Sequence, residues 1–330
     1  MSGPVSPSPG EAEQISQLVT LLDQLQRATG PHLRSQHAKT VACLTAEFRV
    51  LDSVPAALAH GIFAHPRTWT GWVRFSSALG WDDREPDFHG LAIKLLDVPG
   101  AHMPEPDGDA DAQDFLLDDI PVFFTPDVER TYAFMSRKMG LAAAGASADE
   151  TGRVLAAEFP TEAGRYAALA RSAGAPLEIE YWSCVPYRLG PHDVKYYVRP
   201  QLDGPPSENR APSAEFARET VIEQLTKRGQ PARFEFFVQL RENPETMPIE
   251  DATVPWSSPF HKVAELVLPA QTFDTTERAA IGERLSFSPW RTLPEHAPLG
   301  ALNRARRAAY LSSAKLRRAT NPTGSPPPST

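Results

Sequence analysis

An α+β fold, with a large antiparallel sheet or barrel and helices around it, is what the sequence predicts. Three observations predict it. Segments with strand-like alternation recur along the chain, and segments with apolar residues at helical spacing group between and after them. Proline, at 33 of 330 residues, is scattered through the interior, which favours many short elements joined by turns over long helices.

The elements follow in order. Ile15, Leu18, Leu22 and Leu25 lie on one helical face, and Gly30 is placed to end that helix. From Ala38 to Val50 the pattern changes to alternation, with Ala42, Leu44, Ala46, Phe48 and Val50 on one face. Trp72 to Ser76 and Leu91 to Leu96 read as further strands, followed by a short apolar run from Pro121 to Phe124. Ser147 with Glu150 makes a capping box for a helical region reaching about Ala173. Strand-like segments return at Leu177 to Val185, Val194 to Arg199, Phe234 to Leu240 and Val263 to Leu268. A helix from Glu215 to Arg228 interrupts them and stops at Gly229, and a last helix spans Leu299 to Arg318. The Pro-rich ends, Ser6 to Gly10 and Asn321 to Thr330, read as disordered. The division expected is therefore a tail plus short amphipathic helix over 1–30, a folded core over 31–318 and a tail over 319–330.

Composition narrows the function classes. With 33 basic against 41 acidic side chains the formal charge is −8, which speaks against a general nucleic-acid binder. No apolar run approaches the roughly 18 residues that cross a bilayer, and the first residues have neither a basic nor an apolar signal region. A cytoplasmic location is the expectation. Cys43 and Cys184 are the two cysteines and form no C-x-x-C, which excludes a disulfide framework, a thiolate zinc site and thioether cofactor attachment. Pro104 to Gln113 is acidic and contains Gly, but lacks the terminal Glu spacing of an EF-hand loop, so it reads as a solvated loop.

Four groups of residues carry chemistry. On the last helix, steps of three and four align Leu299, Leu302, Arg306, Tyr310, Ser313 and Arg317. This places a phenol between two guanidinium groups. Arg306 favours its phenolate form, and Arg317 is suited to a bidentate pair with a carboxylate. A plain basic helix, solvated through Arg304, Arg307, Lys315 and Arg318 as well, accounts for the same spacing. The second group is Arg34-Ser-Gln-His37-Ala-Lys39, at the mouth of the first strand. In the third, Val73-Arg74-Phe75-Ser76, Arg74 and Ser76 share a strand face. The fourth is Asp118-Asp119-Ile120-Pro121-Val122-Phe123-Phe124; its adjacent carboxylates point to opposite faces of a strand and cannot form a shared-proton dyad.

Together these groups resemble the haem catalases. R-x-x-H-A-K, V-R-F-S, the D-x-x-G-x-A-x-K run from Asp87 to Lys94, and P-V-F-F come in that family's order. R-x-x-x-Y, with another Arg seven residues after the Tyr, follows them. The resemblance extends from about Pro31 to Arg318. It is nearer to the small catalase-related peroxidases, and to catalase-like enzymes of fatty acid hydroperoxides, than to full-length catalases.

The resemblance implies a catalase-like antiparallel β-barrel, surrounding helices and a C-terminal helix that ligates non-covalent haem b through its iron. Tyr310 is then the iron ligand, Arg306 supports its phenolate, and Arg34, Arg74 and Arg317 neutralise the haem propionates. His37 is the distal base that moves the peroxide proton, and Ser76 orients its ring. The family's distal Asn falls at Asp118, or at Asp119 in a register shifted by one. A carboxylate accepts where an amide also donates. Gln36, beside His37, is a candidate for the missing amide. The expected function is a haem peroxidase of organic hydroperoxides or hydrogen peroxide, with weak catalase activity as one outcome. It takes a peroxide or lipid hydroperoxide as substrate, with a small-molecule reductant, as a monomer or homodimer. Alternatives are a fatty acid hydroperoxide isomerase or lyase, a non-catalytic haem carrier or sensor, and a haem-free module binding an anionic partner through the last helix.

Overall fold

Alternating apolar residues from Ala42 to Val50 need a strand with one face in a core, and in the computed structural model Lys39–Val50 is strand β1. The structure describes residues 7–30, 33–78, 80–105, 111–202 and 212–320. After β1 come β2 (Thr68–Ser77), β3 (His89–Leu95), β4 (Gln113–Asp118), β5 (Tyr181–Trp182), β6 (Tyr187–Leu189), β7 (His192–Pro200), β8 (Ala232–Leu240) and β9 (Phe260–Leu268). Every pairing is antiparallel, in the order β5-β4-β3-β2-β1-β9-β8-β7-β6, and β5 also pairs with β7. That extra pairing closes eight strands into a barrel and leaves β6 attached outside β7. The predicted α+β class with an antiparallel barrel is the observed one.

Inward-facing residues fill the barrel. Phe48, Phe75, Leu91, Ile93, Phe115, Tyr181, Tyr196, Phe234, Phe236 and Leu266 belong to one buried cluster. Phe48, Phe115 and Phe236 meet with ring centroids 5.0–6.0 Å apart. Fully burying side chains of this kind stabilises by about 1.5–3 kcal/mol each, so the interior is a packed core and the chemistry lies outside it. The outer face is where the motifs sit. Register aligns Thr40 with Ser76, Ser76 with Gly90, Gly90 with Asp118 and Asp118 with Trp182 in one row across five strands.

The helices are α1 (Pro9–Thr29), α2 (Val128–Ala143), α3 (Ala148–Glu158), α4 (Pro160–Leu169), α5 (Phe216–Val221), α6 (Thr276–Arg284) and α7 (Ala301–Thr320). Helix α1 lies against α7, joined by Arg304 to Glu11 at 2.5 Å and by Ser312 to Asp23 at 2.7 Å. A buried ionic cluster fastens the barrel to the segment before α7. Lys94 and Arg291 both reach Asp114, at 2.9 and 2.7 Å, and Ser288 N donates to the same carboxylate. No helix among the described residues is long and apolar enough to cross a membrane.

Several expectations are corrected. Pro9 and Gly10 are the first turn of α1, with the Ser8 hydroxyl accepting from Glu11 N, because Pro fits a first helical turn and Ser caps it. Strand β4 was not anticipated, since its buried Asp114 and Gln113 hid its pattern, and the apolar run Pro121 to Phe124 just after it is irregular. The helix from Ser147 is two helices, broken at Phe159 before Pro160. Helices α2 and α6, and strand β6, were not anticipated. The segment Leu177 to Val185 yields just two strand residues, and the helix from Glu215 passes into a π-helical turn over Ile222–Lys227. Part of the acidic loop (106–110) and the tail Asn321 to Thr330 lie outside the described residues.

Candidate active site

A cavity of about 260 Å³ lies between the outer barrel wall and helices α1, α2, α4 and α7. Arg34, His37, Arg74, Ser76, Asp118, Arg306, Tyr310 and Arg317 all line it, so the fold gathers every residue singled out for the site. They come from a loop, two strands and a helix, separated by up to 283 positions in the chain.

His37 stands just before β1. Its backbone is left-handed, with φ of +54°, a conformation that costs a residue with a β-carbon about 1–2 kcal/mol. Backbone bonds hold it there: His37 N donates to Ala78 O at 2.9 Å, and its carbonyl accepts from Arg74 Nη2 at 2.8 Å. The imidazole then spans two members of the outer row, with Nδ1 3.1 Å from Ser76 Oγ and Nε2 3.2 Å from Asp118 Oδ1. Gly90, between those two in register, makes room for it. A β-carbon there would lie 2.6 Å from His37 Nδ1 and 2.8 Å from Ser76 Oγ.

The two adjacent carboxylates are placed differently. Asp118 lines the cavity, whereas Asp119 turns away and is buried against His89, accepting from its N and meeting its Nδ1, both at 2.9 Å. That contact raises the His89 pKa: burial alone would lower it, and the Asp119 bond and charge outweigh burial. Gln36 also lines the cavity, with its amide bonded to Ser35 O at 2.8 Å.

Arg34, Arg74 and Arg317 gather at one end. Arg34 bonds Glu283 at 3.2 Å and the carbonyls of Gly282 and Leu285 at 2.8 Å. Arg317 donates to Glu283 O at 2.6 Å, and Arg74 to Thr40 Oγ1 at 2.7 Å. Thr40 donates in turn to Glu283 Oε1 at 2.6 Å. Burial lowers the pKa of Arg34 and, reinforced by the positive charges of Arg34 and Arg317, drives that of Arg74 well below its usual value. Glu283 shifts down: burial would raise it, but Arg34 and Arg74 prevail. Three arginines thus converge near the Glu283 carboxylate. Glu283 was not found from sequence, since a Glu in the helical run of α6 gives no signal of a partner about 250 positions away.

On α7, the aligned stripe turns inward. Leu302, Arg306, Tyr310, Ser313 and Arg317 line the cavity, while Arg304 and Arg307 pair with Glu11 and Glu105. A wholly solvated basic helix is therefore not what forms. Arg306 donates to Tyr187 OH and Asn303 Oδ1 at 3.2 Å, and its guanidinium carbon is 5.7 Å from the Tyr310 ring centroid. Its pKa is raised: burial opposes this, and Tyr187, Tyr310 and Asp118 outweigh burial.

No known family description matches the sequence, and no curated protein sequence does. Solved structures do match. A fungal catalase superposes with a TM-score of 0.69 at 17% identity, covering 92% of this chain and 63% of its own. Catalase A from Saccharomyces cerevisiae gives 0.65 at 16% identity, covering 93% and 66%. A bacterial catalase gives 0.60 at 16% identity, covering 100% and 66%. The chain spans about two thirds of the length of these structures. A likeness this extensive at so low an identity is one of architecture: the chain has the catalase-like fold.

Proposed function

We propose that the chain is a haem-dependent oxidoreductase that processes peroxides, with haem b held non-covalently between Tyr310 and His37. The donor set fits that group. A phenol from α7 and an imidazole from the loop before β1 both reach the cavity, Gly90 and Ala92 keep the wall beneath them low, and three guanidinium groups gather at one end. Those guanidinium groups would receive the two propionates. The convergence of Arg34, Arg74 and Arg317 at one end of the cavity that Tyr310 and His37 also line carries the reading, because clustered guanidinium forks are suited to receive carboxylates such as the two propionates.

Bound haem would supply the electrons that a peroxide O–O cleavage requires. The residues do the rest. Tyr310 would hold the iron through its phenol oxygen, with the Arg306 guanidinium carbon 5.7 Å from its ring centroid. Ser76 fixes the imidazole: with Nδ1–H donating to Ser76 Oγ, the Nε2 lone pair is left to take the proton of the inner peroxide oxygen and return it to the outer one. Asp118 Oδ1, 3.2 Å from His37 Nε2, stands beside the nitrogen that would carry the proton.

The cavity lining adds a second element to the reading. Leu18, Leu22, Phe88, Phe124, Met135 and Tyr166 make its outer part apolar, which favours an organic hydroperoxide over hydrogen peroxide and leaves an isomerase or lyase outcome without external reductant as the alternative. The test is spectroscopic first. Protein expressed with adequate haem is expected to show the absorption of tyrosinate-ligated ferric haem, lost in Tyr310→Phe. His37→Ala should retain haem and lose turnover across hydrogen peroxide, cumene hydroperoxide and a fatty acid hydroperoxide. Turnover unchanged in His37→Ala rejects the imidazole as base, and haem-free wild-type protein rejects the whole reading.

A further inference from the structure

On the outer wall of the barrel, away from the arginines, a smaller cavity of about 50 Å³ is lined by Pro121, Trp182, Cys184, Lys195, Tyr196, Gln239, Pro255, Trp256 and Phe260. Its rim is exposed: Pro121 and Pro255 face solvent, and 42% of Phe260 is accessible. Its floor is not. Lys195, with 5% exposure, places its ammonium there. That ammonium reaches the Val254 carbonyl at 3.4 Å and lies 5.0 Å from the Trp256 ring centroid. Among the described residues, no carboxylate lies within ion-pair distance of it. Each other buried lysine has one: Lys39 meets Asp83 at 2.8 Å, and Lys94 meets Asp114 at 2.9 Å.

A buried charge held by a long carbonyl bond and a ring face is an arrangement that an arriving anion would complete. We propose that this pit binds a small carboxylate, with the Lys195 ammonium as its anchor and Trp182, Trp256 and Phe260 as its apolar walls. The chemistry selects a carboxylate. One ammonium balances one negative charge, so a phosphate dianion would bury an uncompensated charge. The aromatic walls suit the carbons next to a carboxylate, and the volume leaves no room for a large polar headgroup. The groups facing Lys195 are the Cys184 thiol and, farther off, the Asp251 carboxylate, whose Oδ1 is taken by Thr253. Burial pulls the Lys195 pKa down to about 8, so the anchor is cationic near neutrality and discharges above that.

Cys184 also lines the large cavity, so a carboxylate in the pit sits one side chain from the candidate active site. The anion could be a free small acid or the carboxylate end of an acyl chain. The proposal does not depend on haem, and apoprotein tests it. Acetate, octanoate and inorganic phosphate are titrated into wild type and Lys195→Met, following Trp fluorescence and the melting temperature. Acetate is expected to shift both signals in wild type at about pH 7, and to bind about tenfold or more weakly in Lys195→Met and at about pH 9.5. Octanoate binding more tightly than acetate, and in competition with it, identifies an acyl end; equal affinity identifies a free small acid. Equal binding by wild type and Lys195→Met, no saturation by either acid, or phosphate binding as well as acetate overturns the proposal. Because Met replaces a buried ammonium with an apolar chain of similar length, the variant folds, and its own melt verifies that.

Discussion

Gly90→Ala tests whether the imidazole is held where the site needs it. Gly90 lies in the ordinary strand backbone of β3, so the substitution adds a methyl group without backbone strain. That methyl would sit 2.6 Å from His37 Nδ1 and 2.8 Å from both Cε1 and Ser76 Oγ. Ordinary contact begins at 3.4 Å, so the ring must retreat by roughly 0.8 Å. Overpacking of this kind costs about 1–3 kcal/mol, and loss of the Nδ1–Ser76 bond adds about 0.5–1.5 kcal/mol. A destabilisation of about 1.5–4.5 kcal/mol is expected in urea denaturation of the apoprotein, with haem content kept and peroxide turnover reduced. The control is the same substitution in a His37→Ala background. There two of the three clashes vanish and the Ser76 hydroxyl is free to rotate, so the cost should fall below about 0.5 kcal/mol. An equal cost in both backgrounds would falsify the claim that Gly90 exists to seat the ring.

Asp118→Asn restores a hydrogen-bond donor beside His37 Nε2, and hydrogen peroxide turnover should rise several-fold, read by oxygen release. Asp114→Ala removes the carboxylate that buried Lys94 and Arg291 share, and should destabilise by about 3–5 kcal/mol in the same denaturation assay. His296 is pushed down to about 3 by burial, with Ile62 N donating to its Nε2 at 3.0 Å. Its folded pKa lies below the unfolded value of about 6.5, so the unfolded chain binds more protons between these limits. Stability should therefore fall as pH drops through that window, by up to about 1.4 kcal/mol per unit, and His296→Gln should flatten the slope.

What the sequence disclosed followed from the range of each signal. Period-two alternation in β1 and apolar spacing in α1 are local, and both elements form where expected. β4 was hidden because its outward residues, Asp114 and Leu116, are themselves covered by the segment before α7, so burial on both faces erased the alternation. The eight residues singled out, which line one cavity, stood out because each sits in a short motif. The groups that hold them, Thr40 and Glu283 among them, were not, since a hydroxyl and a carboxylate become partners of an arginine through the closure of the barrel alone.

Closure also explains why the site is on the barrel's outside. Inside, aromatic rings leave no space for a ligand, and strand alternation sends every second residue outward. The row Thr40–Ser76–Gly90–Asp118 is what that alternation delivers: three polar side chains and one missing side chain, at matching heights on four adjacent strands. A histidine at the start of β1 can lie across the gap only if its backbone bends back, which the left-handed conformation at His37 accomplishes and the Arg74 bond to its carbonyl secures. Arg74 thereby serves two ends at once. It fixes the imidazole through the backbone and contributes a cation to the group around Glu283. Arg74→Lys keeps the charge but loses the fork that spans His37 O and Thr40 Oγ1, so it should loosen the ring more than it changes the charge.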